Sequence, residues 1–397
     1  MRREEAARLL ARLIHVRRAE LDRALRMSLF ALVLGWAMYV AFNATQAIFL
    51  TVDRPHAYPV FFILLALSVW PAVTLQAALT RRLGVSRAFR YNLLANSGVA
   101  LLAYAAYRLA ESNPVVPFAA YVAYSVAFEL VMLHFWAFVS QYFNLLEGKR
   151  IYPVIAAGTS VGYILSGYTT TLVALWSTEA LMFVWAAGTA LAAWLVHDLE
   201  QRLFRPADDE ADEFMAEVQV HPRKSGLAAL PVAVGYLRSS RLVLGLVVLA
   251  LSLILAMRAS DYVVALVFVQ STHNLQELTI LLGYAWLLSY VVQLFLALFA
   301  TPPLLARLGV KNAILALPVA TLLGFAAVAL SPVLATAVFL FVVRNGLQTG
   351  VDDPAENVLS SALPGQVVPK LKLLMDNLVL PGGALLAGVL LLAAQAL

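Results

Sequence analysis

Long apolar runs broken by short polar segments account for most of the chain. Runs long enough to cross a bilayer, roughly 20 residues each, fall at 28 to 50, 58 to 79, 91 to 110, 115 to 143, 152 to 175, 180 to 198, 242 to 270, 276 to 301, 312 to 330, 333 to 355 and 373 to 396. They predict eleven transmembrane helices. Ahead of the first run, Leu9, Leu10, Leu13, Ile14, Leu21 and Leu25 recur at helical spacing among eight Arg and four acidic residues. Residues 1–27 therefore read as an amphipathic helix on the membrane surface with Arg turned to headgroups, or as a solvated helix leading into the first span. They do not read as a signal peptide, which needs a short charged start followed by an apolar stretch.

Composition supports the membrane assignment. Of 397 residues, 62% are hydrophobic and 13% charged, against about 25% charged in soluble chains. The mean hydropathy is +0.82. If the N-terminus is cytoplasmic, cytoplasmic segments hold 24 of the 28 Lys and Arg. The outer loops then hold Arg54 and Arg108, and two more lie within spans. By the positive-inside rule this places the N-terminus inside, in what is expected to be a bacterial inner membrane. The net charge of +5 thus reports topology, and nucleic acid is not an expected partner. With no Cys, disulfides, thiol catalysis and thiolate metal sites are excluded.

The chain repeats itself. After the second run it reads RRLGVSRA, Arg81 to Ala88, and after the eighth ARLGVKNA, Ala306 to Ala313, an offset of 225. The fifth run contains VGYILSG, Val161 to Gly167, and the eleventh GGALLAG, Gly382 to Gly388, an offset of 221. Two motifs in the same direction, each after an even number of spans, predict two parallel six-span halves. The expected halves are 28–198 and 242–397, joined by a cytosolic linker, 199–241, that is acidic from Asp208 to Glu217. Shifted by 221, the sixth run should recur near 401 to 419. A twelfth span beyond Leu397, followed by soluble regulatory domains, is therefore expected.

Two six-span halves with an RLG turn repeated between spans 2 and 3 and spans 8 and 9 resemble the major facilitator superfamily. The signature Gly-x-Leu-Ala-Asp-Arg-x-Gly-Arg-Arg of its turn is degraded here to ALTRRLGVSR, with Ala77 for the first Gly and Arg81 for the Asp. Three stretches are similar to its ATP/ADP translocase-like branch: FNATQAIFL before YPVFFILLAL, FWAFVSQYFNLLEGKRIYPVIAAGTSVGYILSG, and DDPAENVLSSALPGQVVPKLKLLMDNLVLPGGALLAGVLL. That branch comprises nucleotide exchangers and bacterial relatives of unassigned substrate, some with helical-repeat or cyclic-nucleotide-binding domains after the membrane part. The resemblance therefore implies nucleotide exchange as one option and does not fix the substrate.

A charge at the bilayer centre costs about 2.5 to 3.5 kcal/mol on insertion scales, so such residues persist where they face protein or a wet cavity. Glu129 in span 4, Arg258 and Asp261 in span 7 and Arg344 in span 10 lie deep in apolar runs. The resembled fold lines its cavity with spans 1, 4, 7 and 10. Span 1 adds Asn43 and Gln46, three residues apart and so on one helical face. These six are the expected substrate-binding residues. The bland alternative is an ion pair fastening the halves, with Arg258 and Asp261 neutralising each other at i, i+3. Asp352, Asp353 and Glu356, near Pro354, are expected to latch an inner gate against Lys370 or Lys372, or to be interfacial charge. His134 reads as a polar contact to a neighbouring helix.

GTSVG, Gly158 to Gly162, matches a serine-hydrolase pattern but opens a membrane helix, where small residues serve close packing. There is no phosphate-loop motif and no HExxH, so neither an enzyme nor a cofactor or metal is expected. The expected function is secondary transport of an organic anion, zwitterion or amphiphile by alternating access. Two alternatives stand beside it: nucleotide exchange, and a transporter-like sensor gating a cytosolic domain. Two Arg against Glu129 and Asp261 sum to zero, whereas a nucleotide site needs a cationic surplus.

Overall fold

In a computed structural model, the described residues are 17–52, 55–110, 113–143, 145–203, 241–355 and 374–396. Eleven helices account for nearly all of them: α1 Arg18–Val52, α2 Tyr58–Leu83, α3 Val85–Leu109, α4 Val115–Val139, α5 Leu145–Ala174, α6 Ala180–Arg202, α7 Arg241–Gln270, α8 Leu275–Ile314, α9 Ala316–Leu330, α10 Leu334–Ala355 and α11 Leu380–Gln395. No strand occurs among the described residues. Seven of the helices are long and apolar enough to cross a membrane by themselves. Most of the surface segment expected at 1–27, most of the linker, Glu356 and Lys370 lie outside the described residues.

Local chemistry fixes several boundaries. α8 starts at Asn274, whose side chain accepts from the Glu277 amide at 2.8 Å, while Glu277 Oε2 accepts from the His273 amide at 2.8 Å. Such reciprocal capping satisfies donors that the first turn leaves free. α2 follows a 3-10 turn at Pro55–Ala57 and carries Pro59 in its first turn, where the missing amide costs nothing. Gly84 ends α2 with φ 79, ψ 160 and opens α3. Gly309, inside α8, has φ 73, ψ 165, so the residues after it already belong to the next span.

α1 begins ten residues before its apolar run. Leu21, Ala24 and Met27 are buried, and two ion pairs hold the extension to the start of α5: Arg150 to Glu20 at 2.6 Å and Arg23 to Glu147 at 2.7 Å. From Arg18 onward the expected surface helix is therefore the base of α1. This end of the bundle is called the near end below, and the end holding Pro55 and Asn274 the far end.

The helices pack in two groups. α1 lies on α4, α5 and α6, and α3 on α4 and α6; α7 lies on α10 and α11, and α10 on α8 and α9. α1 and α5 approach closely through the small residues of GTSVG: a Cβ on Gly158 would strike Ser28 O, and one on Gly162 would strike Leu32 O. Between the groups, α5 packs on α8, α11 on α2, and α8 on α1. Glycine again sets the distance. A Cβ on Gly167 would lie 2.7 Å from Gly283 O and from Leu287 Cβ, and one on Gly388 2.6 Å from Pro59 O and 2.7 Å from Ile63.

Candidate functional site

The deep charges of α7 and α10 form one cluster. Arg344 is buried, with its Nη2 2.9 Å from Asp261 Oδ1. Its guanidinium also donates to Met257 O at 3.2 Å and to Asn345 Oδ1 at 2.7 Å. Arg258 Nη1 lies 3.5 Å from Asp261 Oδ2. Asp261 thus stands between two guanidiniums, which offsets the cost of desolvating all three. Arg258 also sits 5.1 Å from the ring centroid of Phe62 on α2, a cation–π contact that carries the cluster across to the first group. Arg344 Nε is buried and has no partner among the described residues, so the cluster has a donor to spare.

Glu129 is halfway along α4 and exposed, as are Leu133 and Trp136 at i+4 and i+7 on the same face. The opposite face, with Val131, His134, Phe135 and Phe138, is buried within the first group. The cation that acts electrostatically on Glu129 is Arg258 of α7. An accessible carboxylate under the influence of a side chain from the other group stands on the side of α4 turned toward the seam.

Aromatic rings complete the region. Tyr39 of α1 lies 4.1 Å by ring centroids from Tyr163 of α5 and 5.2 Å from Tyr290 of α8, and Tyr163 lies 4.9 Å from Tyr290. Trp286 stacks on Tyr290 at 5.4 Å and meets Phe341 of α10 edge-on at 4.8 Å. Its indole Nε1 is buried without a partner among the described residues. Phe128, next to Glu129, contacts Tyr39 at 5.6 Å. Tyr39, Trp286 and Tyr290 carry no distinguishing sequence signal, because aromatic residues at helical spacing in an apolar run look the same in a lipid-facing stripe and in a seam.

Of the predicted site residues, Arg258, Asp261 and Arg344 are brought into contact and Glu129 within the electrostatic reach of Arg258. Asn43 and Gln46 point elsewhere. Both are buried; Asn43 Nδ2 donates to Thr170 Oγ1 at 3.0 Å and Gln46 Nε2 to Tyr58 OH at 2.8 Å, inside the first group. A shared helical face placed them together, but that face is the one packed on α5 and α2. Asp352 is buried in a π turn, Gln348–Asp352, whereas Asp353 is exposed and acts electrostatically on Tyr39, as does Glu129. The partners expected to latch them fall outside the described residues.

His134 is a buried polar junction of α2, α3 and α4. Gln76 Nε2 lies 2.7 Å and Thr80 Oγ1 2.9 Å from its ring nitrogens, and Asn92 Nδ2 3.3 Å. At the far end the groups are bonded directly. Thr178 and Thr279 hydroxyls meet at 3.0 Å, Gln276 Nε2 donates to Leu175 O at 3.0 Å, and Gln395 Nε2 donates to Tyr262 OH at 3.1 Å and to His56 O at 3.2 Å. A cavity of about 400 Å³ lined by Thr51, His56, Gln270 and His273 lies beside these contacts.

This arrangement is similar over nearly its whole length to solved transporter structures. A mutant of the nucleoside transporter NupG matches with TM-score 0.66 and 14% identity, over 92% of this chain and 90% of that one. An auto-inhibited POT family peptide transporter matches at 0.61 and 13%, over 94% and 89%. The partially occluded, inward-open xylose transporter XylE from E. coli matches at 0.58 and 13%, over 92% and 90%. At these identities the likeness is one of fold. The chain is an all-α polytopic membrane protein with a fold of the major facilitator type. No family model and no curated protein matches the sequence.

Proposed function

We propose that the chain is a secondary transporter that moves a small organic anion, zwitterion or amphiphile by alternating access, with the two helix groups rocking about a site at mid-depth. The observation that carries this reading is the Arg344–Asp261–Arg258 cluster, which joins α7 and α10, touches α2 through Phe62 and leaves Arg344 Nε unmatched. Two guanidiniums deep in the bundle, one with a donor to spare, suit recognition of an anionic group. The near end is assigned to the cytoplasm because the Lys and Arg gather there, and 28–198 and 242–397 are assigned as the two moving halves. The bonds at the far end would then close the outer side. A bacterial inner membrane is the proposed location.

Purified protein is expected to gain thermal stability from one chemical class in a panel of small anions, zwitterions, phospholipids and nucleotides. Uptake of that class into proteoliposomes is expected to be lost in Arg344→Ala. Nucleotide exchange, the reading that the resembled branch favours, predicts counterflow of labelled ATP against ADP instead. Its absence in vesicles active for another class would remove that reading. Absence of binding by every class would overturn the transporter reading itself.

A further inference from the structure

A polar contact lies on the outer surface of the first group, toward the near end. Arg90 of α3 donates from Nη1 to His197 Nδ1 of α6 at 2.9 Å, and the Gln201 amide lies 3.0 Å from His197 Nε2. The two helices run antiparallel, in a register held further along by Ser97 with Thr189 at 2.8 Å and by the Tyr104 and Phe183 rings at 4.5 Å. Arg87, one turn before Arg90, is exposed, as are His197 and Gln201. Among the described residues neither Arg87 nor Arg90 pairs with a carboxylate, while Asp198 is held by Arg202 at 2.6 Å and Asp22 by Arg26 at 2.7 Å. One turn deeper the strip becomes aromatic and then aliphatic: Tyr91 and Leu94 of α3 and Trp194 and Leu191 of α6 are all exposed. Cations at headgroup level, amphipathic rings below them and leucines deeper still follow the layering of a membrane leaflet. At the repeat offset of 225, Arg87 and Arg90 correspond to Asn312 and Leu315, so the fold by itself does not require these cations.

We propose that the groove between α3 and α6 binds an anionic phospholipid, with its phosphate on Arg87 and Arg90 beside His197 and Gln201 and an acyl chain along Leu94, Trp194 and Leu191. The chemistry recognised is a phosphate ester. Guanidiniums without a carboxylate partner supply its charge and its hydrogen bonds, and the exposed rings and leucines require that the ester carry a hydrocarbon chain. Both helices belong to the first group, so the lipid sits on that group alone and does not cross the seam. The site therefore stands independently of the transporter reading.

The test is native mass spectrometry of the delipidated full chain in a neutral detergent, titrated with phosphatidylglycerol, cardiolipin, phosphatidylethanolamine and, as the soluble ester, glycerol phosphate. The two anionic lipids are expected to bind about fivefold or more tighter than phosphatidylethanolamine, and Arg87→Gln and Arg90→Gln each to remove about fivefold of that affinity. Arg90→Lys keeps the charge and should retain most of the binding, which separates loss of charge from loss of fold. Trp194→Ala should weaken the lipids and leave glycerol phosphate unchanged. Arg82→Gln, at an exposed cation that ends α2 outside the groove, should leave lipid binding as it was. A loss in Arg82→Gln equal to that in the groove variants would show diffuse surface charge and overturn the site. Phosphatidylethanolamine binding as tightly as phosphatidylglycerol would also overturn it, and glycerol phosphate binding as tightly as phosphatidylglycerol would replace the lipid with a soluble ligand.

Discussion

Gly84 and Gly309, 225 residues apart, hold the same backbone conformation: φ 79, ψ 160 and φ 73, ψ 165. They are the only positive-φ glycines among the described residues, and each sits in the RLG turn that repeats in the sequence. The repeat is therefore structural as well as compositional, since each copy of the turn needs a residue without a Cβ at its corner.

Gly84→Ala and Gly309→Ala are each expected to cost about 1 to 3 kcal/mol through the backbone alone, because φ near +75 with ψ near 160 is open essentially to glycine and a Cβ at either position meets nothing within 4 Å. Thermal unfolding of purified variants in one detergent measures both. Equal stability of the Ala variants and the parent would contradict the turn geometry.

Gly167→Ala and Gly388→Ala should act on the seam rather than on either group. Each new methyl meets backbone oxygen from the other group at 2.6 to 2.7 Å, so the groups must separate at the far end. The chain contains no Cys, and Thr178→Cys with Thr279→Cys would place a reporter pair where two hydroxyls now lie 3.0 Å apart. Oxidative cross-linking of that pair is expected to fall several-fold when either Ala substitution is added. Unchanged cross-linking would show that the seam absorbs the methyl without opening.

Asp261 and Arg344 should couple energetically. Removing either leaves a buried or half-buried charge short of its partner, so Asp261→Asn and Arg344→Gln are each expected to destabilise the protein more than a surface change does. The double substitution should recover part of that loss, with a coupling of about 0.5 to 3 kcal/mol. Strict additivity in denaturant or thermal unfolding would mean that the 2.9 Å contact carries no net stabilisation.

His134→Leu is expected to destabilise the first group by about 1 to 3 kcal/mol, because it strands the polar ends of Gln76, Thr80 and Asn92 inside the bundle. Transport per folded molecule should persist, since this junction lies on the face of α4 away from Glu129. Loss of transport with intact folding would give His134 a role in the cycle.

Much of this architecture was legible from hydropathy, because a membrane forces backbone groups to pair within each helix and leaves length and apolarity as visible signals. The charged cluster was legible for a related reason: Arg258, Asp261 and Arg344 are too costly in lipid to be incidental. Asn43 and Gln46 bond to Thr170 and Tyr58 inside the first group, a face that sequence alone does not separate from a seam. Which of the two readings of the segment before the first run holds from Arg18 onward was not legible, because the partners Arg150 and Glu147 lie more than a hundred residues away. The rings of Tyr39, Trp286 and Tyr290 gave no signal at all, since an aromatic side chain suits lipid, core and seam alike.

The two glycine crossings are copies of one contact. Gly167 meets Gly283 and Leu287, and Gly388 meets Pro59 and Ile63; Gly167 corresponds to Gly388 at an offset of 221, and the two pairs of contacted residues correspond at 224. Each half thus offers the other the same two surfaces, in the manner of an isologous dimer contact. The seam is therefore one small-residue contact used twice, so a change that loosens one crossing has a counterpart at the other.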